Sequence, residues 1–165
     1  MISTTVAGAC SLPRLKPSGT GVWKEFEPYL KEYTEIAKHK GIDLSDKSKK
    51  LVVTKANKLM DNSAAVCHMT PLGNEVEVSE IIWSRISEIE RKQLAFHELV
   101  HCLCDRMHTY QGGEYPDKAP AFGFGAGYMD DGCPSSMMHP TMIDRDCAVR
   151  HWNEYIDEMM VGCEP

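Results

Sequence analysis

Residues 97–101 read His97-Glu98-Leu99-Val100-His101, a run whose residue types and spacing suit metal chemistry. Two histidines four apart stand one turn above each other on one helical face. Their imidazoles can reach a single ion without distorting the backbone. Zinc suits such a pair, because it takes imidazole nitrogen and lowers the pKa of a bound water toward neutrality. Glu98, beside the first ligand, is placed to take that proton as general base and pass it to a leaving amine. His108 follows seven residues after His101, where the helix should break near Asp105, and supplies the preferred third ligand. Glu154 or Glu158 from a later helix are the other candidates. Three fixed residues also occur by chance, and on an exposed helix they would only be solvated. The apolar flanks Leu94-Ala95-Phe96 and Leu99-Val100 argue instead for a buried metal helix.

A helix must carry this run, and its start is legible. Ser87 with Glu90 three residues later forms a capping box, so the helix should span 88–104. A front helix is expected over 22–40, with Trp23, Phe26, Leu30, Tyr33 and Ala37 on one face and Gly41 as its stop. Short strands are expected at 51–54, 63–69 and 76–78. Lys47, Lys49 and Lys50 read as a solvated turn. Residues 109–136 hold six glycines with Pro116, Pro120 and Pro134, a long irregular segment of the kind that tends to be functional. Asp144 can cap a last helix with Ala148, Trp152, Tyr155, Ile156 and Met159 on its apolar face. The organisation expected is an extended tail over 1–21 and a zinc peptidase domain over 22–165. Its class is α+β, with a small mixed sheet packed on the front helix, the zinc helix and a C-terminal helix.

Composition narrows the partners. A formal net charge of -6 over 165 residues argues against a non-specific grip on nucleic acid or on an anionic membrane. No apolar run is long enough to cross a bilayer. The first twelve residues lack the charged and apolar regions of a signal peptide and read as a tail. A secreted, periplasmic or lipoprotein-derived origin and a cytoplasmic or virion-associated one both stay open. Seven cysteines, with no C-x-x-C pair, argue against a cysteine zinc site and leave room for one or two disulfides.

Residues 97–108, followed by Ser135-Ser136-Met137-Met138-His139-Pro140, resemble the metzincin zinc peptidases and are similar to small matrixin-like proteins of bacteria and phages. Metzincins carry H-E-x-x-H-x-x-G-x-x-H and a methionine-containing turn under the metal. Here one extra residue separates the second and third histidines, and Cys104-Asp105 stands in the region of the family's glycine. The resemblance spans about residue 26 to the C-terminus, and only the two motifs are specific. It implies a zincin-like fold and Met138 in the turn, supporting the zinc ligands without touching the metal. It also implies that strand 63–69 lies above the cleft, where an extended peptide could pair with it.

The remaining candidates have plain readings beside functional ones. His139 could line a specificity pocket, but a histidine in a turn is more often at the surface. His68 and His151 read as structural or solvent-facing. Asp130 and Asp131 could bind a second ion, although acidic loop pairs are usually only solvated. Tyr110, Tyr115 or Tyr128 could hydrogen-bond an oxyanion. Cys10 lacks the flanks of an inhibitory thiolate switch. The expected function is therefore zinc-dependent hydrolysis of peptide bonds by a monomer, with Zn²⁺ on His97, His101 and His108 and Glu98 as base. Two alternatives are a zinc hydrolase of a non-protein amide, such as a cell-wall cross-link, and a non-catalytic zinc-stabilised structural or virion protein.

Overall fold

The computed structural model describes residues 14–59, 62–108, 128–139 and 141–164. In chain order the elements are α1 (Glu27–His39), α2 (Ser45–Lys50), β1 (Val52–Ala56), β2 (Ala65–His68), β3 (Glu75–Ser79), α3 (Glu80–Trp83), α4 (Glu88–Cys104), α5 (Arg145–Arg150) and α6 (Trp152–Met159). Together they make a small α+β domain around one three-stranded mixed sheet.

Helix α4 positions everything else. Its start is fixed as expected: the Ser87 amide and hydroxyl both donate to the Glu90 carboxylate, at 2.7 and 2.6 Å. From Gln93 to Cys104 every residue of α4 is buried. A helix covered all round runs through the interior rather than along it. Leu94, Phe96, Leu99, Val100 and Leu103 supply the apolar drive, each worth about 1.5–3 kcal/mol when fully buried. Gln93, His97, Glu98 and His101 ride inward on the same helix, and buried polar groups are costly unless something satisfies them.

The front helix packs on α4 through Tyr33, whose ring meets Phe96 edge-on at 5.3 Å. It begins at Glu27 rather than at residue 22, because proline fits only the first helical turn and Pro28 occupies it. Val22 instead forms a parallel bridge to Val53, and the Trp23 amide donates to the Val53 carbonyl at 2.9 Å. The lysine-rich stretch is a six-residue helix, α2, with no buried residue, where a turn was expected.

The sheet order is β1-β3-β2, with β1 parallel and β2 antiparallel to β3. Val76 and Val78 of β3 turn one way into the core, and Glu75 and Glu77 turn the other way. Glu75 is nonetheless fully buried, because residues 14–18 cover it. It accepts from Arg14 Nη1 at 3.2 Å, the Ser18 amide at 2.8 Å, Thr54 Oγ1 at 2.7 Å and the Ser18 hydroxyl. These contacts hold its carboxyl below its usual pKa against the opposing effect of burial.

Three disulfides link described residues where one or two were expected: Cys67–Cys102, Cys104–Cys163 and Cys133–Cys147. The first ties edge strand β2 to α4, and the second ties the end of α4 to the C-terminal segment. At the C-terminus Asp144 caps as expected, accepting from the Asp146 amide at 2.9 Å. The last helix is in two pieces, with His151 between α5 and α6.

Candidate metal centre

His97 and His101 leave α4 on the same face, and the chain must turn sharply after Cys104 to bring a third imidazole back. Asp105 makes that turn in the left-handed conformation, φ 54° and ψ 27°. Aspartate tolerates this region better than most residues with a Cβ. With Cys104 it stands in the region where the resemblance would place glycine. Three residues later His108 lies against the pair. The Nε2 atoms of His97 and His108 are 2.8 Å apart, and each is 3.1 Å from Nε2 of His101. All three side chains are buried.

The tautomers follow from the partners. Nδ1–H of His97 donates to the Met137 carbonyl at 2.9 Å, and Nδ1–H of His101 donates to the Arg106 carbonyl. A carbonyl only accepts, so in the neutral rings Nε2 carries the lone pair. Burial pushes the His97 pKa well below its ordinary 6.5, helped by the charges of His101 and His108. Burial likewise lowers His101, and it lowers His108 to about 4, helped by His101 and His139. Neutral imidazoles with converging lone pairs repel each other unless a cation lies between them. The donor set thus fits a divalent metal ion, and His97, His101 and His108 form a cluster that can hold one.

Glu98 is wholly buried next to the first of these histidines. Neither of its oxygens has a partner at full hydrogen-bond geometry among the described residues; the Cys67 backbone approaches it only loosely. Burial raises its pKa to about 8, with the Cys67 backbone pulling weakly the other way. A raised pKa means that the ionised carboxylate, once formed, holds a proton strongly, which suits a general base working near neutral pH.

The other expected residues separate clearly. Glu158 is not at the cluster: its Oε1 pairs with Arg106, and its carbonyl accepts from Arg106 Nη1 at 2.7 Å. It therefore steadies the segment whose carbonyl holds His101. Glu154 is exposed, 3.7 Å from His151. Met138 is fully buried, and its amide donates to Ser136 Oγ at 3.0 Å. The turn reaches the cluster through the neighbouring Met137 carbonyl. Asp131, Cys133 and His151 come together as a second group, but Cys133 is bonded to Cys147 and Arg150 lies 2.9 Å from Asp131. Asp130 is exposed. Buried His68 pairs with Glu77 at 3.0 Å. Tyr128 is 56 % exposed and bridges Pro134. Tyr110, Tyr115 and Cys10 lie outside the described residues.

Three contributors had no sequence signal strong enough to name them. The Met137 and Arg106 carbonyls are backbone atoms. Gln93, one turn before His97, lines a small pocket of about 10 Å³ with His97, Met137, Thr141, Met142 and Ile143. Neither polar atom of its buried amide has a partner among the described residues. Its spacing of four before His97 was the available signal.

Comparison with known proteins yields no matching family model, no matching curated protein and no matching solved structure. No helix among the described residues is long and apolar enough to cross a membrane.

Proposed function

We propose that this chain is a zinc-dependent peptidase of zincin-like, specifically metzincin-like, build. Three Nε2 atoms within 3.1 Å of one another, with two of the rings locked by carbonyls on their far nitrogens, are the observation that carries the reading. His97, His101 and His108 would hold the ion. When bound, zinc acidifies a coordinated water and polarises a carbonyl oxygen.

The protein's own groups do the rest. Glu98 takes the proton of the attacking water on a carboxylate oxygen and returns it to the nitrogen of the leaving amine. Its burial keeps bulk water from competing for that proton. The carbonyls of Met137 and Arg106 hold two ligand rings in one orientation and one tautomer. Met138, fully buried within the turn, would fix where the Met137 carbonyl stands. Strand β2 is the sheet edge next to α4 and is tied to it by Cys67–Cys102. An extended substrate would add to that edge by main-chain pairing.

Chelator-stripped protein, reloaded with one equivalent of zinc, should cleave a quenched fluorescent peptide library and casein. Metal content by plasma emission spectroscopy should return to one zinc per chain. Cleavage of purified peptidoglycan with peptides untouched would move the substrate to a cell-wall amide. Full zinc occupancy with neither substrate cut would leave a structural metal site and end the peptidase reading.

A further inference from the structure

The break in the C-terminal helix falls on His151, and the ring at that break faces a loop shaped to meet it. Nε2 of His151 is 2.8 Å from Oδ2 of Asp131, and the same oxygen lies 3.6 Å from Cys133 Sγ. The three ligating atoms lie within 4.8 Å of one another. Cys133 is bonded to Cys147, which sits on α5 one turn before His151. One carboxylate oxygen, one imidazole nitrogen and two sulfurs therefore converge. Tetrahedral zinc, with bonds of about 2.0–2.3 Å, spaces such atoms about 3.3–3.8 Å apart. Small side-chain adjustments bring the four to that spacing. None of them belongs to the His97 cluster.

Contacts other than the disulfide hold the loop. Gly132 takes φ 82° and its amide donates to the Met129 carbonyl at 2.9 Å. The Met129 amide donates to the Cys133 carbonyl at 2.7 Å, and the Cys133 amide to Oδ1 of Asp131 at 3.1 Å. The hydroxyl of buried Tyr155, on α6, donates to the Pro134 carbonyl at 2.7 Å. Opening the sulfur bridge thus leaves both thiols close together. The place already attracts a cation: Arg150 Nη1 is 2.9 Å from Asp131 Oδ2, and Nη2 is 3.3 Å from Cys133 Sγ. That side chain is 54 % exposed and can turn to solvent. Nδ1 of His151 is 3.7 Å from the Glu154 carboxylate, the kind of partner that orients a metal-bound imidazole. Asp131 is exposed, so an ion has a way in.

We propose that Asp131, Cys133, Cys147 and His151 form a second metal site, which takes a thiophilic divalent cation such as zinc once a dithiol reductant has opened the Cys133–Cys147 bond. In the opening step the dithiol passes two electrons and two protons to the sulfurs and closes its own disulfide. Cys133 and Cys147 become thiols. The cation then displaces both thiol protons to water and binds two thiolates, the His151 imidazole and the Asp131 carboxylate. Four protein ligands fill its coordination, so it acts as a staple and not as a reaction centre. It keeps residues 129–134 joined to α5 and α6 in reducing surroundings, as the disulfide does in oxidising ones. That loop leads into Met137, whose carbonyl holds His97.

The test uses the full chain, reduced with dithiothreitol, freed of it and titrated with cobalt(II) without oxygen. The reduced chain should gain a thiolate-to-cobalt charge-transfer band that the oxidised chain lacks, because the His97 cluster offers only imidazole. Cys133→Ser with Cys147→Ser, treated alike, should lose the band although the other cysteines remain. His151→Ala keeps every cysteine and should bind cobalt at the sulfur site at least about tenfold more weakly. In the zinc-loaded reduced chain, peptide mass mapping should find Cys133 and Cys147 protected from iodoacetamide, and in His151→Ala both should be alkylated. Should the double serine variant not fold, the His151→Ala titration and the alkylation pattern decide alone. A Cys133–Cys147 bond left intact by excess dithiothreitol in the folded chain overturns the site. So does reduced wild type without the band, an equal band in the double serine variant, or unchanged affinity in His151→Ala.

Discussion

Two glutamates are fully buried among the described residues, Glu75 on β3 and Glu98 on α4, and they are treated in opposite ways. Glu75 is surrounded by donors: a guanidinium, a backbone amide and two hydroxyls. Its pKa falls despite burial. Glu98 has no partner at full hydrogen-bond geometry among the described residues, and its pKa climbs to about 8. Folding satisfies a structural carboxylate as fully as it can, since each unmet lone pair costs stability. A carboxyl left so poorly satisfied, next in sequence to a candidate metal ligand, is what the proposed general base would look like: burial makes its ionised form a strong proton acceptor. The pair separates a group that holds the fold from one that the fold holds ready.

The same substitution at both places breaks that comparison most sharply. Glu98→Gln should lower peptide cleavage by at least about 10³-fold, roughly 4 kcal/mol at the barrier. Zinc stoichiometry and melting temperature should stay near wild type, because the lost group makes no hydrogen bond of full geometry among the described residues and Gln keeps its shape. Retained cleavage in that variant would remove Glu98 from the mechanism. Glu75→Gln should do the reverse. It leaves Arg14, Ser18 and Thr54 with one fewer acceptor and should destabilise the chain by about 2–3 kcal/mol in urea. Arg14 is partly exposed and finds water, so its share is the smallest. Per-zinc activity at low temperature should be unchanged, and a loss there would tie the outer face of the sheet to the site.

Metal-free protein should show the contrast in its pH dependence. Folded Glu98 keeps its proton to about pH 8 but releases it near 4.5 once unfolded. The folded state binds more protons in that window, so stability falls as pH rises from about 4.5 to 8. The three histidines act oppositely. Their folded pKa values lie below 6.5, with His108 at about 4, so stability falls as pH drops below 6.5. Three groups outweigh one on the acid side, and Glu98 acts alone above 6.5. Melting temperature of the stripped wild type should therefore peak near pH 6.5 and decline toward 8. Stripped Glu98→Gln should lack the alkaline decline. A flat profile from 6.5 to 8 in the wild type would mean that Glu98 is not buried as a neutral acid.

How much of this was legible in the sequence depended on how local each feature is. The capping box, the α4 span and the His97/His101 pair all lie within one helix, where fixed periodicity turns spacing into geometry. His108 was within reach because only three residues separate it from the end of the helix. The Met137 and Arg106 carbonyls could not be named, because every residue has a carbonyl and only the fold selects two of them. Cysteine pairing was closed to the same reasoning, since spacing does not encode connectivity. Helix α2 was missed because a lysine-rich six-residue helix without a buried face leaves no periodic trace. The break at His151 was missed because the apolar spacing of α5 and α6 runs through it in one phase. Strand positions were readable from alternation, but the insertion of β3 between β1 and β2 was not, because strand order is set by long-range packing.

The smallest expected effect concerns the residue that closes the gap between the two halves of the ligand set. Asp105 holds φ at 54°, a region where a Cβ is strained and glycine is free. Asp105→Gly relieves that strain but frees the unfolded chain, and it removes an exposed 3.5 Å ion pair with Lys47 that contributes little. The net change in stability should be under about 1 kcal/mol. Zinc affinity should shift less than about threefold, because the Arg106 carbonyl and the Arg106–Glu158 contact still anchor the return of the chain. Asp105→Val should be much worse in both respects, since a β-branched side chain is a poor tenant of the left-handed region. If Gly and Val behaved alike in zinc titration, the turn would not be what delivers His108, and the third ligand would have to be held by its own packing.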